Sequence, residues 1–576
     1  MIGLALLSLS AMAFNADSYE AALTAEMQRA MDNLVLPGQE RPHHITVTVA
    51  TGSYTTIRAQ DGAVIDSTSA PSRDLRVDVR VGDATLDNGN FLPSMGIPDG
   101  ITSRQLADEH SPISLRRDVW LALDAAYKGA TQTYAAKTAA RRGRQGPFAA
   151  DLGPINTPTR LPFTAPRVPD DDRLNAVVQT LAKASAAPAH LESSAVSASD
   201  WAGSGLVMST EGTAAWIPTS SVVVRVEMAT RANDGSRLRN TRSWVAQSPK
   251  QLPDVSVLEA EIAAASSWLE RLRSAPVEDD YLGPVFFESP AAAELFRQLL
   301  HTEITGTPPW EHAPESADDN ARPIPVARIG RRLLPTGWSV VDDASSDPGL
   351  ASHQTHDYEA VPTRRVTVVS DGILRDVLMS RVPRLDRDTS TGHGRSSGHN
   401  RRVAMPTQVY VDPKRGVGIR RLKRVALRHA KSAGLPYVLV VRRLLPPALS
   451  DDMEFAFTGD APLAGLTAPT EAYRLYPDGR TEPVRGLRFS GVDRRALRDI
   501  VAASSRNEPV EMKDSADSSS RFSIHALGGH PVSWSVPAVV IGEVELRGSG
   551  GGERRVVPAP SMESASSVLN GSVSPF

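Results

Sequence analysis

The sequence contains no cysteine, which excludes disulfides, thiolate zinc sites, thiol nucleophiles and iron–sulfur clusters together. Aromatic residues are scarce, at 5%, and no stretch reaches the roughly 18 consecutive apolar residues of a membrane-crossing helix. No membrane span is expected. Neither sign of charge dominates: 63 Lys and Arg stand against 66 Asp and Glu, a net charge of −3. Such a balance gives no long-range field able to gather polynucleotides or anionic lipid, so nucleic acid is not an expected partner. What is present is length. At 576 residues the chain exceeds what one hydrophobic core usually organises, and two domains with unstructured margins are expected.

Residues 2–13 form an apolar run ending in Ala11-Met12-Ala13, a small-x-small pattern of the kind cleaved from signal peptides, although no Lys or Arg precedes it. Residues 1–16 are therefore read as a leader, with an exported or periplasmic location favoured over a cytoplasmic one. An amphipathic helix is expected over Tyr19–Leu34, then paired strands at His44–Val49 and Leu75–Val81 with a turn at Asp61-Gly62, and a long helix over Leu115–Ala140. A proline-rich connection, Gly146–Pro169, leads to a helix opened by Asp170-Asp171-Asp172, whose charges suit a helix N-terminus. Further strands, a turn at Asn233-Asp234-Gly235 and a helix over Val255–Leu272 complete an N-terminal domain, residues 17–275.

A second domain, residues 282–546, opens with the apolar strand Gly283–Phe287 and the helix Pro290–His301, and strands then dominate. The fold class is α+β: an N-terminal α/β-sheet domain followed by a mostly antiparallel β domain with an opening helix. A basic helix, Arg420–Ala433, reads as a solvated face. Residues 547–576 turn to Gly, Ser and Pro and are expected to be a disordered tail.

Gly283-Pro284-Val285-Phe286-Phe287-Glu288, followed by Ala291 to Phe296, resembles the strand and helix that open the C-terminal domain of TldD/PmbA proteins, a metallopeptidase-related family. Collinear with it, Asp357-Tyr358-Glu359-Ala360-Val361-Pro362 resembles the acidic loop, Ser390-Thr391-Gly392-His393-Gly394-Arg395 the glycine-rich segment, and Gly542 to Leu546 a closing strand of that family. The resemblance runs from about residue 19 to 546.

That resemblance implies a metal site: an HExxxH helix and a later cysteine, two imidazoles and a thiolate on one ion with a glutamate as base for bound water. Here the His, Glu and His positions hold Arg297, Gln298 and Thr302, and the segment matching the cysteine, roughly 523–530, has no thiol. A guanidinium has no lone pair to offer and keeps its proton, and an amide cannot take up a proton as a general base must. No metal is expected. The weak candidates for a rebuilt site are His301 with His525 or His530. A serine nucleophile beside His393 or His530 lacks a strand-to-helix elbow, and Gly392-His393-Gly394 is too short for a phosphate cradle; its glycines suit a tight turn.

The resemblance then implies a metal-less, non-catalytic protein that binds unfolded peptide or serves as the partner of a homologous HExxxH-bearing subunit, in a homo- or hetero-oligomer. Arg297, His393, Asp357 and Glu359 are its candidate binding residues. Arg297 is expected to meet a peptide carboxylate or a structural acid such as Asp357 or Glu359. The alternatives are an active metallopeptidase with a displaced zinc site, and an exported binding module acting alone.

Overall fold

The computed structural model describes residues 16–93, 100–106, 111–312, 327–395, 402–447, 466–514 and 529–548. The leader run 2–13, most of the tail, His399 and His525 lie outside them.

The chain is α+β. Helix α1 (Ala16–Asn33) precedes two long strands, β1 (Pro42–Gln60) and β2 (Ala63–Val81), joined by a two-residue turn. Asp61 and Gly62 both take positive φ, 47° and 92°, the backbone that a tight hairpin of naturally twisted strands demands and that Asp-Gly supplies at low cost. The sequence reading found only the ends of this hairpin, because its middle, Gly52 to Ser72, is small and polar and lacks an apolar alternation. Strand β3 (Ile101–Gln105) pairs with β2, and helix α2 (Pro112–Arg142) follows, with Pro112 in its first turn and Ser111 as N-cap. Helix α3 (Asp171–Ala186) is capped by the Asp170 carboxylate, which accepts from the backbone N–H of Arg173. Strands β4 (Ser193–Ser209), β5 (Ala214–Arg231) and β6 (Arg237–Ala246) complete a seven-stranded sheet in the order β3-β2-β1-β4-β5, with β6 and the short Arg160–Leu161 both against β5.

Helix α4 (Val255–Arg273) leads to the second sheet. It contains β7 (Tyr281–Phe287), β8 (Trp338–Asp342), β9 (Val366–Ser370), β10 (Gln408–Pro413), β11 (Val438–Leu444), β12 (Pro469–Leu475), β13 (Ile500–Asp514) and β14 (His530–Gly548). The central order is β9-β8-β10-β14-β7-β11-β12. Most pairings are antiparallel; β10 with β14 and β7 with β11 run parallel.

Burial follows strand alternation. In β7, Val285 and Phe287 join the core under helix α5 (Ser289–Ile304), while Phe286 points the other way, into a cluster with Leu258 and Leu269 of α4 and Leu422 of α6 (Ile419–Ser432). That second cluster continues into α3 and the first sheet through Val222 and Val224. In β1 and β2, Ile45, Val47, Val77 and Val79 face α1 and α2, and the intervening residues are polar. Helix α6 buries Leu422, Ala426 and Ala430 and exposes Arg420, Arg421, Arg424, Arg428 and Lys431, as a solvated basic face requires. Among the described residues no helix is long and apolar enough to cross a membrane.

Candidate functional site

Helix α5 starts at Ser289 with Pro290 in its first turn, where a missing N–H costs nothing. Its apolar stripe, Ala292, Leu295, Phe296, Leu299 and Leu300, is buried, which fixes the helix rotation and sends Glu294, Arg297 and His301 along one edge. Arg297 lies between two acids. Its Nη2 donates to Glu294 Oε2 at 2.7 Å and its Nη1 to Asp514 Oδ1 at 3.0 Å. His301 Nδ1 meets the other oxygen of Asp514 at 2.9 Å. Burial disfavours the cation, but Glu294 and Asp514 outweigh it and hold the guanidinium pKa above its ordinary value. Arg297 is thus permanently charged and fully engaged.

Gln298 is tied down as well. Its Nε2 donates to Thr467 Oγ1 at 3.0 Å and to Glu294 at 3.1 Å, while its Oε1 accepts from Thr467 N at 3.0 Å. Thr302 is exposed. The reason is angular: residues five apart on an α-helix are rotated by about 140°, and residues four apart by only about 40°. His301 is therefore the residue that shares Arg297's edge, and Thr302 is not.

The other candidates sit apart from this edge. Neither Asp357 nor Glu359 reaches Arg297, whose acids are Glu294 and Asp514. Asp357 is buried and structural: Oδ1 accepts from the N–H groups of Glu359 and Val361, and Oδ2 from Gly394 N. Glu359 Oε2 accepts from Arg381 N at 2.8 Å, and burial, with Asp357 nearby, pushes its carboxyl up to about 7. His393 is fully buried, with Nδ1 at 2.9 Å from Thr391 Oγ1 and Nε2 at 3.3 Å from Asp342. The turn around it is tight, with Gly392 at φ 75°. His530 Nδ1 lies 3.0 Å from the Tyr358 hydroxyl, and His530 is the cross-strand neighbour of Asp514.

Arg297, Gln298 and Thr302 offer a guanidinium, an amide and an exposed hydroxyl, all poor metal ligands. Among the described residues no three His, Asp or Glu converge where an ion could be held. Sequence reasoning missed Glu294 and Asp514. The first was legible, since an acid three residues before an arginine on a helix is its neighbour. Asp514, 217 residues away at the end of β13, carried no local signal.

Residues 283–548 match the family model of the PmbA/TldA metallopeptidase C-terminal domain. This second domain belongs to the TldD/PmbA family. Three solved structures resemble it over 92% of its length: a protein described as a modulator of a DNA gyrase from Thermotoga maritima (13% identity, TM-score 0.59, all of that chain covered), TldE from Thermococcus kodakarensis (12%, 0.59, all covered) and a modulator of DNA gyrase from Bacteroides thetaiotaomicron (10%, 0.56, 99% covered). At these identities the likeness establishes a shared fold. No curated protein matches the chain.

Proposed function

We propose that this TldD/PmbA-family chain is a metal-less subunit that binds unfolded peptide and works beside a homologue bearing the intact motif. The carrying observation is Arg297. At the first histidine position of HExxxH stands a cation, closed into ion pairs with Glu294 and Asp514 at 2.7 and 3.0 Å. A divalent ion placed there would meet a fixed positive charge and no lone pair. Gln298, at the position of the base, has both ends of its amide engaged. Each of the three changes by itself removes an element of metal-assisted hydrolysis, and the ion pairs supply a structural reason for Arg297 to persist.

Metal content of the purified full-length chain tests this. The expected result is no zinc retained through gel filtration, and no cleavage of unfolded peptides unless an HExxxH-bearing homologue is added. One equivalent of zinc per chain, lost on His301→Ala, would overturn it in favour of a displaced metal site. Stable binding of peptide with no homologue engaged at micromolar concentration would favour a module that acts alone.

A further inference from the structure

Helix α6 is charged with one sign only. Arg420, Arg421, Lys423, Arg424, Arg428 and Lys431 lie within its 14 residues, and no Asp or Glu stands among them. At about 100° per residue, five of these, all but Lys423, fall within an arc of about 100° on the side opposite Leu422, Ala426 and Ala430. The five are exposed, and the three apolar residues are buried. Among the described residues, no hydrogen bond or ion pair engages the side chain of any of the five.

The fold gains nothing from these charges. What packs α6 onto the protein is its apolar stripe, which joins Phe286 and the α4 residues Leu258 and Leu269 in one cluster. Arg420 and Arg421 sit in the first turn, where the helix dipole disfavours cations, and Gly418 at the N-cap offers no side-chain acceptor. Arg420, Arg424 and Arg428 follow one another at a spacing of four, where like charges repel. Charges that a fold does not use, set where they weaken it, mark a functional surface.

Three kinds of anionic partner differ in what they need from such a face. A helix lying on a bilayer buries its apolar side in the lipid, but that side of α6 is already inside the core. A long polyanion extends past the helix and meets the rest of a chain whose net charge is −3. A short acidic peptide needs only the helix itself, about 21 Å in length. Its spacing also fits: Arg420, Arg424 and Arg428 rise about 6 Å from one to the next, and side chains on one face of an extended peptide repeat every 6.7 Å or so. Each guanidinium fork matches the two oxygens of a carboxylate.

We propose that the exposed face of α6 docks an extended acidic peptide segment, with Arg420, Arg424 and Arg428 each meeting a carboxylate from alternate residues and Arg421 and Lys431 flanking them. This surface is separate from α5. On β7, Phe286 turns toward α6 while Val285 and Phe287 turn toward α5, so the two helices cover opposite faces of the second sheet. The outcome therefore does not depend on whether α5 holds a metal.

The test is a fluorescence anisotropy titration of the unmodified full-length chain with a labelled peptide of alternating Ser and Glu, at low salt. The same peptide with Gln for Glu, an oligodeoxythymidine of equal charge and phosphatidylglycerol vesicles serve as comparators. Saturable binding of the Glu peptide is expected, weakened by added salt, with the Gln peptide inert. Arg424→Ser combined with Arg428→Ser should weaken binding about tenfold, the loss of two exposed pairs, and should melt no lower than the unmodified chain. Arg424→Lys with Arg428→Lys, which keeps the charge and loses the forks, should fall between. No saturable binding of the Glu peptide overturns the proposal, as does undiminished binding by the double serine variant. Tighter binding of the oligonucleotide or of the vesicles overturns the choice of a peptide, and a lower melting temperature of the serine variant would show that these cations serve the fold.

Discussion

Two charged regions of this molecule are built in opposite ways. On α5 one guanidinium, Arg297, is met by two acids, and a histidine closes on the second of them. Between the sheets four guanidiniums converge on one small cavity with two acids in its wall. In the first, the guanidinium is met on two sides by acids of the chain itself. In the second, Arg80 and Arg381 reach acids beyond the wall, Asp87 and Glu211. Placing an arginine at a site therefore says little about binding until its acids are counted, and Arg297 has two within hydrogen-bond reach.

The sharpest way to break that contrast is to remove the satisfied cation. Arg297→Ala leaves Glu294 and Asp514 buried without it, and deleting one partner of a buried pair costs about 3–5 kcal/mol. Urea unfolding should show the midpoint falling accordingly. A midpoint unchanged from that of the unmodified chain would mean that the α5 cluster is not closed.

A smaller effect is expected from the turn that borders the cavity. Gly392 has φ 75°, and a Cβ there would lie 2.3 Å from the carbonyl oxygen of Pro362. Gly392→Ala combines a left-handed backbone penalty with overpacking, together about 2–4 kcal/mol. Because the turn lies away from α5, the same substitution should leave the Arg297 ion pairs intact. Thermal melts of the variant beside the unmodified chain would read the loss.

How much of this was legible beforehand follows the range of the interactions. Helices α1 to α6 announce themselves through local apolar spacing and caps, such as Asp170 and Pro112. The replaced metal motif is also local, six residues on one helix. The angular phase of His301 and Thr302 follows from helical geometry alone. Asp514 and the cavity were not legible. Asp514 meets Arg297 across 217 positions, and the rungs of β1 and β2 alternate like any sheet face open to water. Only the fold shows that Arg381 and Arg402 cover them.

The last test concerns an acid that belongs to neither arrangement. Glu511, on β13, accepts from Ala351 N at 2.5 Å and has no ion pair among the described residues. Burial pushes its carboxyl up to about 7, against backbone hydrogen bonds that favour the charged form. In the unfolded chain it titrates near 4.5, so between these values the folded state holds the extra proton. The contribution is therefore complete below about 4.5 and is lost as pH rises through about 7. Glu511→Gln keeps the acceptor for Ala351 and removes the titration. The variant should match the unmodified chain at pH 4 and exceed its stability by ~1–2 kcal/mol at pH 8. Equal stability at both pH values would show that the Glu511 carboxylate, like the acids around Arg297, is compensated within the chain.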